Sequence, residues 1–150
     1  MIYINIGSNI GDRLSTLELA VVMLEQAFGA KAHLTDVVES EPWGFDSPNR
    51  FVNLTLAFDT PHTPLEAFAL MQQTERAIDP SSHRTATGDY ADRRIDIDFI
   101  AWTDADGKIL DATFPATAAT GPLTLPHPHL ADRPFFQTPF RLLRRRLENI

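Results

Sequence analysis

The sequence predicts an α+β fold, and three observations carry the prediction. Apolar residues recur with period 2 in short segments, they recur at helical spacing in two longer ones, and the segments alternate in the order β-α-β-β-α-β. That order is the split-βαβ, ferredoxin-like arrangement of an antiparallel sheet with helices packed on one face. A chain of 150 residues with 43% hydrophobic content can bury one sizeable core, and no stretch reads as a linker. A single domain over residues 1–150 is therefore expected.

Each element has a local reason. Ile2 to Ile6 is a short apolar run stopped by "GSNIGD", hence a buried strand ending in a turn. Leu14, Leu17, Val21, Leu24 and Phe28 then recur at helical spacing, with Asp12 placed to cap the start and Gly29 to end the helix. Ala32 to Ser40 is β-branched and reads as one strand, whereas "EPWGFDSPNR" carries two prolines and a glycine and reads as a loop. From Phe51 to Asp59, Val52, Leu54, Leu56 and Phe58 face the core, while Phe51, Asn53, Thr55 and Ala57 face the other way. "TPLE", Thr63 to Glu66, is a capping box with proline at the first helical position, so a second helix runs from there to about Ile78. Gln72 and Glu75 share a face of it. Residues 79 to 91 lack periodicity and are a mobile-loop candidate. Arg94 to Trp102 is a strand followed by a hairpin turn at "TDADGK", and "FPATAATGPLTLPHPHL" reads as a long proline-studded connection. The basic run "RLLRRRLE" reads as the solvated face of a terminal helix.

Composition excludes several classes. The absence of cysteine rules out disulfides and thiolate metal sites and fits a reducing compartment. The chain opens directly as a strand, without a basic leader, and no apolar run is long enough to span a bilayer, so a cytoplasmic protein with no membrane partner is expected. A net charge of −7 argues against a broad phosphate-backbone footprint, so nucleic acid is not the expected partner. Small anionic ligands remain open, because a few arginines focused in a cleft outweigh the total.

The informative stretch is "RRIDIDFI". Strand alternation points Ile95, Ile97 and Phe99 one way and Asp96 with Asp98 the other, their Cα atoms roughly 7 Å apart. Two carboxylates that close repel unless a cation sits between them. A hard divalent ion such as Mg²⁺ would serve, and so would neighbouring arginines. Taken alone, the Asp-x-Asp pattern leaves both readings open. Arg93, Arg94, Arg84 and Arg133 supply guanidinium groups suited to phosphate oxygens. His127 stands between two prolines in "LPHPHLADRPF". Phe51 and Asn53 share a strand face, and an aromatic plane beside an amide is what a flat heterocycle with donor and acceptor edges needs, with Trp43 and Phe135 as further walls.

Six segments in this order, "GSNIGDR", "ESEPWGF", "FVN", "QQTE", "YADRRIDIDFI" and "LPHPHLADRPF", resemble the 6-hydroxymethyl-7,8-dihydropterin pyrophosphokinase family of folate biosynthesis, from Ile2 to about Pro139. The resemblance implies a ferredoxin-like monomer that moves the β,γ-diphosphate of ATP onto a pterin hydroxymethyl group and leaves AMP. It implies two Mg²⁺ ions held by Asp96 and Asp98. It gives Gln72, Glu75, Arg84, Tyr90, Arg93, His127 and Arg133 to ATP, with Arg84 and Arg93 acting in catalysis beside the aspartates. Ser40, Trp43, Phe51, Asn53 and Phe135 go to the pterin. One departure stands out: where the family has a Gly-Arg-x-Arg segment, this chain has "DPSSHRTATGD", with only Arg84. Two other readings compete: another Mg²⁺-dependent nucleotidyl or phosphoryl transferase, and a non-catalytic small-ligand or RNA-binding module. A binding module would have no use for two carboxylates converging on one point.

Overall fold

The computed structural model describes residues 1–81 and 91–148. Its first strand, β1 (Ile2–Ser8), is buried along its whole length. Helix α1 (Arg13–Phe28) starts where the Asp12 carboxylate accepts from the Ser15 amide and stops at Gly29, whose left-handed φ of 63° is cheap only for glycine. Strand β4 (Phe51–Phe58) and helix α2 (Pro64–Ile78) follow, the latter closed by the reciprocal Thr63–Glu66 box. Strand β5 (Asp96–Trp102) is followed by a tight turn in which the Asp104 amide donates to the Lys108 carbonyl and the Lys108 amide to the Asp104 carboxylate.

The sheet runs β2 (His33–Leu34), β4, β1, β5, with a short β3 (Val38–Ser40) also on β4, and every pairing in it is antiparallel. Each helical crossover thus skips one strand: α1 carries the chain from β1 over β4 to β2, and α2 carries it from β4 over β1 to β5. Ile2, Ile4, Ile6, Leu54, Leu56, Ile97 and Phe99 meet Leu17, Leu24 and Met71 of the two helices in the main core. Fully burying such a side chain contributes about 1.5–3 kcal/mol.

Four expectations change. The strand read over Ala32–Ser40 is two pieces, β2 (His33–Leu34) and β3 (Val38–Ser40), both on β4. The long connection contains a two-stranded ribbon of β6 (Ala112–Phe114) and β7 (Leu123–Leu125). The terminal helix α3 begins at Pro134, earlier than its basic run, and holds Pro139 inside. Nor are helices confined to one face, since Phe136, Phe140 and Leu143 of α3 cover Tyr3, Ala57, Ile100 and Ala101 on the opposite side. With the main core on one side and α3 and the loops beside it on the other, all eight residues of β4, and not one alternating set, are buried. The arginines of α3 are partly engaged: Arg144 donates to Glu148 and to the Gly107 carbonyl, and Arg146 to the Leu34 carbonyl. Among the described residues, no helix is long and apolar enough to cross a membrane.

Helix α3 covers only part of the second face. Over the remainder the sheet presents polar side chains, and there the chain builds a cavity.

Candidate active site

The floor of the cavity is two rows of residues running across three strands. Asn53, Gly7 and Asp96 form one row, and Thr55, Asn5 and Asp98 the next. The middle position of the first row has no side chain. A Cβ on Gly7 would stand 3.0 Å from Asn53 Oδ1 and 3.5 Å from the Phe51 ring, so glycine keeps open the space between an amide and a carboxylate. With strands about 4.8 Å apart, that gap is roughly 10 Å across from backbone to backbone.

The walls come from loops. Trp43 and Phe45 from the 41–50 segment, Phe51 from β4, His127 and Arg133 from the approach to α3, and Phe135 from its first turn enclose about 270 Å³ above the floor. The amide of Asn53 is oriented by two contacts: its Nδ2 donates to Ser40 Oγ at 2.7 Å, and its Oδ1 accepts from Asn5 Nδ2 at 3.4 Å. Arg133 lies over the Trp43 ring at 4.0 Å, and its Nε is buried without a hydrogen-bond partner among the described residues. A cation held against a ring face, with a buried donor unused, is prepared for an anionic or acceptor-rich ligand.

Electrostatics set the character of the carboxylate end. Asp96 accepts from the Arg93 guanidinium at 2.9 Å, and Arg93 is itself buried and lies 5.6 Å from the centre of the Phe51 ring. Burial, together with the charges of Asp96 and Glu75, pushes the Asp98 carboxyl well above its usual range. Burial and Asp96 likewise push Glu75 up to about 8, while its Oε2 accepts from the Ile97 amide at 2.8 Å. Three acidic groups thus crowd one place. Burial, with Arg133 and His129 nearby, lowers His127 to about 4, so at neutral pH the ring is uncharged. Its Nδ1 accepts from the His129 amide at 3.0 Å, which leaves the proton on Nε2, 3.8 Å from Asp98.

The donor set at Asp96 and Asp98 is oxygen only, and the carboxylate crowding is what a hard divalent cation would relieve, so these residues fit Mg²⁺. Among the described residues no group of three or more His, Cys, Asp and Glu side chains could hold a metal ion. The remaining positions around such an ion would come from water and ligand oxygens.

Of the residues expected at the site, Trp43, Phe51, Asn53, Arg93, Asp96, Asp98, His127, Arg133 and Phe135 line this cavity. Ser40 stands behind Asn53 and orients it. Gln72 lies apart, its Oε1 accepting from the Gly121 amide, and Glu75 supports β5 from the helix side. Arg94 turns away and donates to the Ile78 carbonyl at the end of α2. Arg84 and Tyr90, with most of the 79–91 mobile-loop candidate, lie outside the described residues. Sequence reasoning missed Asn5, Gly7, Glu41, Phe45 and His129. Asn5 and Gly7 were legible, because they alternate with Ile4 and Ile6 on β1.

An α+β domain that brings a carboxylate pair, two guanidinium groups, aromatic walls and an oriented amide into one cavity is a small-molecule phosphotransferase in class. The family description 7,8-dihydro-6-hydroxymethylpterin-pyrophosphokinase matches residues 3–145. The chain is 34% identical over 139 residues to the 2-amino-4-hydroxy-6-hydroxymethyldihydropteridine pyrophosphokinase of Porphyromonas gingivalis, covering 93% of this chain and 87% of that one. It is 30% identical to the enzyme of the same name from Aquifex aeolicus, over 92% of this chain and 76% of the other. For the Bacillus subtilis enzyme the identity is 29%, over 91% and 74%. The chain belongs to the 7,8-dihydro-6-hydroxymethylpterin-pyrophosphokinase family.

Proposed function

We infer that the protein transfers the diphosphate of ATP to the hydroxymethyl group of 6-hydroxymethyl-7,8-dihydropterin, giving AMP and the pterin diphosphate in folate biosynthesis. The observation that carries the reading is the pairing of a flat, aromatic-walled space over Gly7 with a crowded carboxylate pair at its end. The pterin ring lies between Phe51 and Phe135, with Trp43 beside it, and Asn53, oriented by Ser40, reads its donor and acceptor edge. Its hydroxymethyl group then points along the first row of the floor toward Asp96.

The hydroxyl oxygen forms a bond to the β-phosphorus, the bond from that phosphorus to the α,β-bridging oxygen breaks, AMP departs, and the hydroxyl gives up its proton. Catalysis of such a displacement is positioning and charge compensation. Two Mg²⁺ held by Asp96 and Asp98 would supply the charge neutralisation on the phosphate oxygens. Arg93 and Arg133 bind phosphate oxygens through paired donors and stay charged throughout. His127, uncharged, donates from Nε2. Gln72, Glu75 and Tyr90 go to the ATP side by family likeness, Glu75 also fixing the height of β5. Arg84 takes the role that two arginines have in the family, and Arg84→Ala is expected to lower turnover more than ATP binding.

The strand order, with each crossover skipping a strand, supports the ferredoxin-like assignment. All 150 residues are taken as one domain working as a cytoplasmic monomer with no membrane partner; the net charge of −7 speaks against a nucleic-acid partner, and the lack of cysteine fits a reducing compartment. The test is product analysis with ATP, Mg²⁺ and the hydroxymethyl pterin. AMP together with the pterin diphosphate is expected, and Asp96→Asn is expected to abolish both while the circular dichroism spectrum stays unchanged. ADP as the nucleotide product, or an active Asp96→Asn protein, would overturn the assignment.

A further inference from the structure

Arg93 is held at the cavity by more than its own strand. Asp92, the residue before it, accepts from two asparagine amides, one at each oxygen: Asn9 Nδ2 at 2.7 Å on Oδ1 and Asn49 Nδ2 at 2.7 Å on Oδ2. Asn9 belongs to the turn after β1, and Asn49 to the segment that carries Trp43 and Phe45. A second contact ties these two to each other, since Asn9 Nδ2 also lies 3.2 Å from the Asn49 carbonyl. Three segments remote in sequence, separated by 83 and 43 positions, therefore meet on one carboxylate.

The chemistry of that carboxylate has a consequence for Arg93. An ionised aspartate only accepts, so both amides must present nitrogen to it. Asn9 is thereby fixed with its oxygen facing the other way, and that oxygen accepts the Arg93 backbone amide at 2.8 Å. The Asn9 backbone N–H donates in turn to the Arg93 carbonyl at 3.2 Å. Asn9 is 2% exposed, so these bonds form away from competing water. Burial acts to raise the Asp92 carboxyl, but hydrogen bonds from Ser47, Asn49 and Asn9, with the charge of Arg93, outweigh it and hold the group below its usual value. It stays ionised, and an acceptor, at neutral pH.

We propose that Asp92, Asn9 and Asn49 are a positioning clamp for the reaction: by gripping the backbone of Arg93 on both sides, they set its guanidinium against Asp96 and lock the ring-wall loop to the phosphate-side strand. The clamp rests on the functional reading above for what Arg93 does, but its geometry is independent of that reading. None of its three residues lines the cavity, so each acts through Arg93 and the 41–50 loop.

The test uses donor and acceptor reversal. Asp92→Asn keeps the shape of the side chain but sets an NH₂ against one of two donating amides, breaking one arm. Adding Asn49→Asp restores the count, because the new amide at 92 donates to the new carboxylate at 49 while its oxygen still accepts from Asn9. The single variant is expected to lose roughly 10- to 100-fold in kcat, the scale of a misplaced catalytic group, with both KM values within about threefold of wild type. The double variant is expected to recover to within about threefold of wild type. In an Arg93→Ala background, Asp92→Asn is expected to add less than about twofold, because a residue acting through Arg93 has nothing left to position. A full additional loss there, or a double variant as slow as the single one, would overturn the proposal. Hydrogen exchange of the Arg93 amide is read without substrate, and it is expected to quicken about tenfold or more in Asp92→Asn. Unchanged exchange would overturn the clamp whatever the activity. A wild type that makes no AMP would instead remove the functional reading, and the exchange measurement would decide the clamp alone.

Discussion

Gly7→Ala asks whether the gap in the cavity floor is the place where the ring lies. A Cβ there would meet Asn53 Oδ1 at 3.0 Å, the Phe51 ring at 3.5 Å and the Val52 carbonyl at 3.6 Å. Asn53 would have to retreat a few tenths of an ångström toward β3. It has no room to do so, because its Nδ2 is already 2.7 Å from Ser40 Oγ, the short end of the N–H···O range. The amide must instead rotate, giving up a hydrogen bond worth about 0.5–1.5 kcal/mol, and the methyl adds an overpacking term of about 1–3 kcal/mol. The backbone gains about 0.5–1 kcal/mol from replacing glycine inside a strand, so the fold should lose about 2 kcal/mol. The ligand loses both the space and the oriented amide, about 1.5–3 kcal/mol, which is a rise in pterin KM of about 10- to 100-fold. The KM for ATP should stay within about threefold, because the phosphate end is untouched. Steady-state kinetics with each substrate varied in turn, beside a urea titration, reads both quantities. A pterin KM within about threefold of wild type would refute the placement of the ring over Gly7.

Three further outcomes are expected. Glu75, pushed up to about 8 in the fold from 4.5, binds its proton more tightly when folded, so it stabilises the free protein at low pH and that contribution is lost as pH rises toward 8. His127, lowered to about 4, works in the opposite sense between about 4 and 6.5, so the Glu75 effect should emerge above pH 6.5. Urea titrations from pH 6.5 to 8 should show wild type losing stability relative to Glu75→Gln, by at most about 1.4 kcal/mol per pH unit, and parallel curves would contradict the assignment. Trp43→Ala removes the ring on which Arg133 lies at 4.0 Å, an interaction worth about 0.5–2 kcal/mol, and should raise KM by about 3- to 10-fold while Trp43→Phe largely keeps it; equal losses in both variants would contradict the stacking role. Thr63→Ala opens the α2 capping box, costing about 0.5–2 kcal/mol in thermal unfolding with kcat unchanged, and a kcat loss would show that α2 reaches the site more directly.

What the sequence revealed and what it hid divide by distance along the chain. Asp12, Gly29 and "TPLE" are signals within a turn of the ends they set, and α1 and α2 lie where those residues place them. Alternation on β5 put Asp96 and Asp98 on one face, and the structure has both at the cavity. The basic run placed a terminal helix, but the first half of α3 was hidden because it carries Pro139 inside and is held by Phe136 and Phe140 packing on a distant sheet face, so tertiary burial overrides its local signals. The strand over 32–40 is broken because the four steps from Leu34 to Val38 face only three from Leu56 to Asn53, an extra residue that only the partner strand reveals. Asn9, Asn49 and Asp92 are ordinary loop residues until the fold brings them together.

The pairing of β1 with β5 contains one irregularity: Ile4 stands opposite Phe99 but Tyr3 stands opposite Ala101, leaving Ile100 as an extra residue. Before it, the strand sends carboxylates toward the ligand side; at and after it, Ile100 and Ala101 pack under α3 on that same side, and the Ile100 carbonyl accepts the His127 amide at 2.8 Å. One strand thus works as a ruler with two scales, polar for four positions and greasy beyond. Losing or gaining a single codon between Arg93 and Asp96 would exchange the acids for isoleucines, emptying the site and driving charge into the core at one stroke. Spacing in this stretch therefore matters to the site as much as residue identity does.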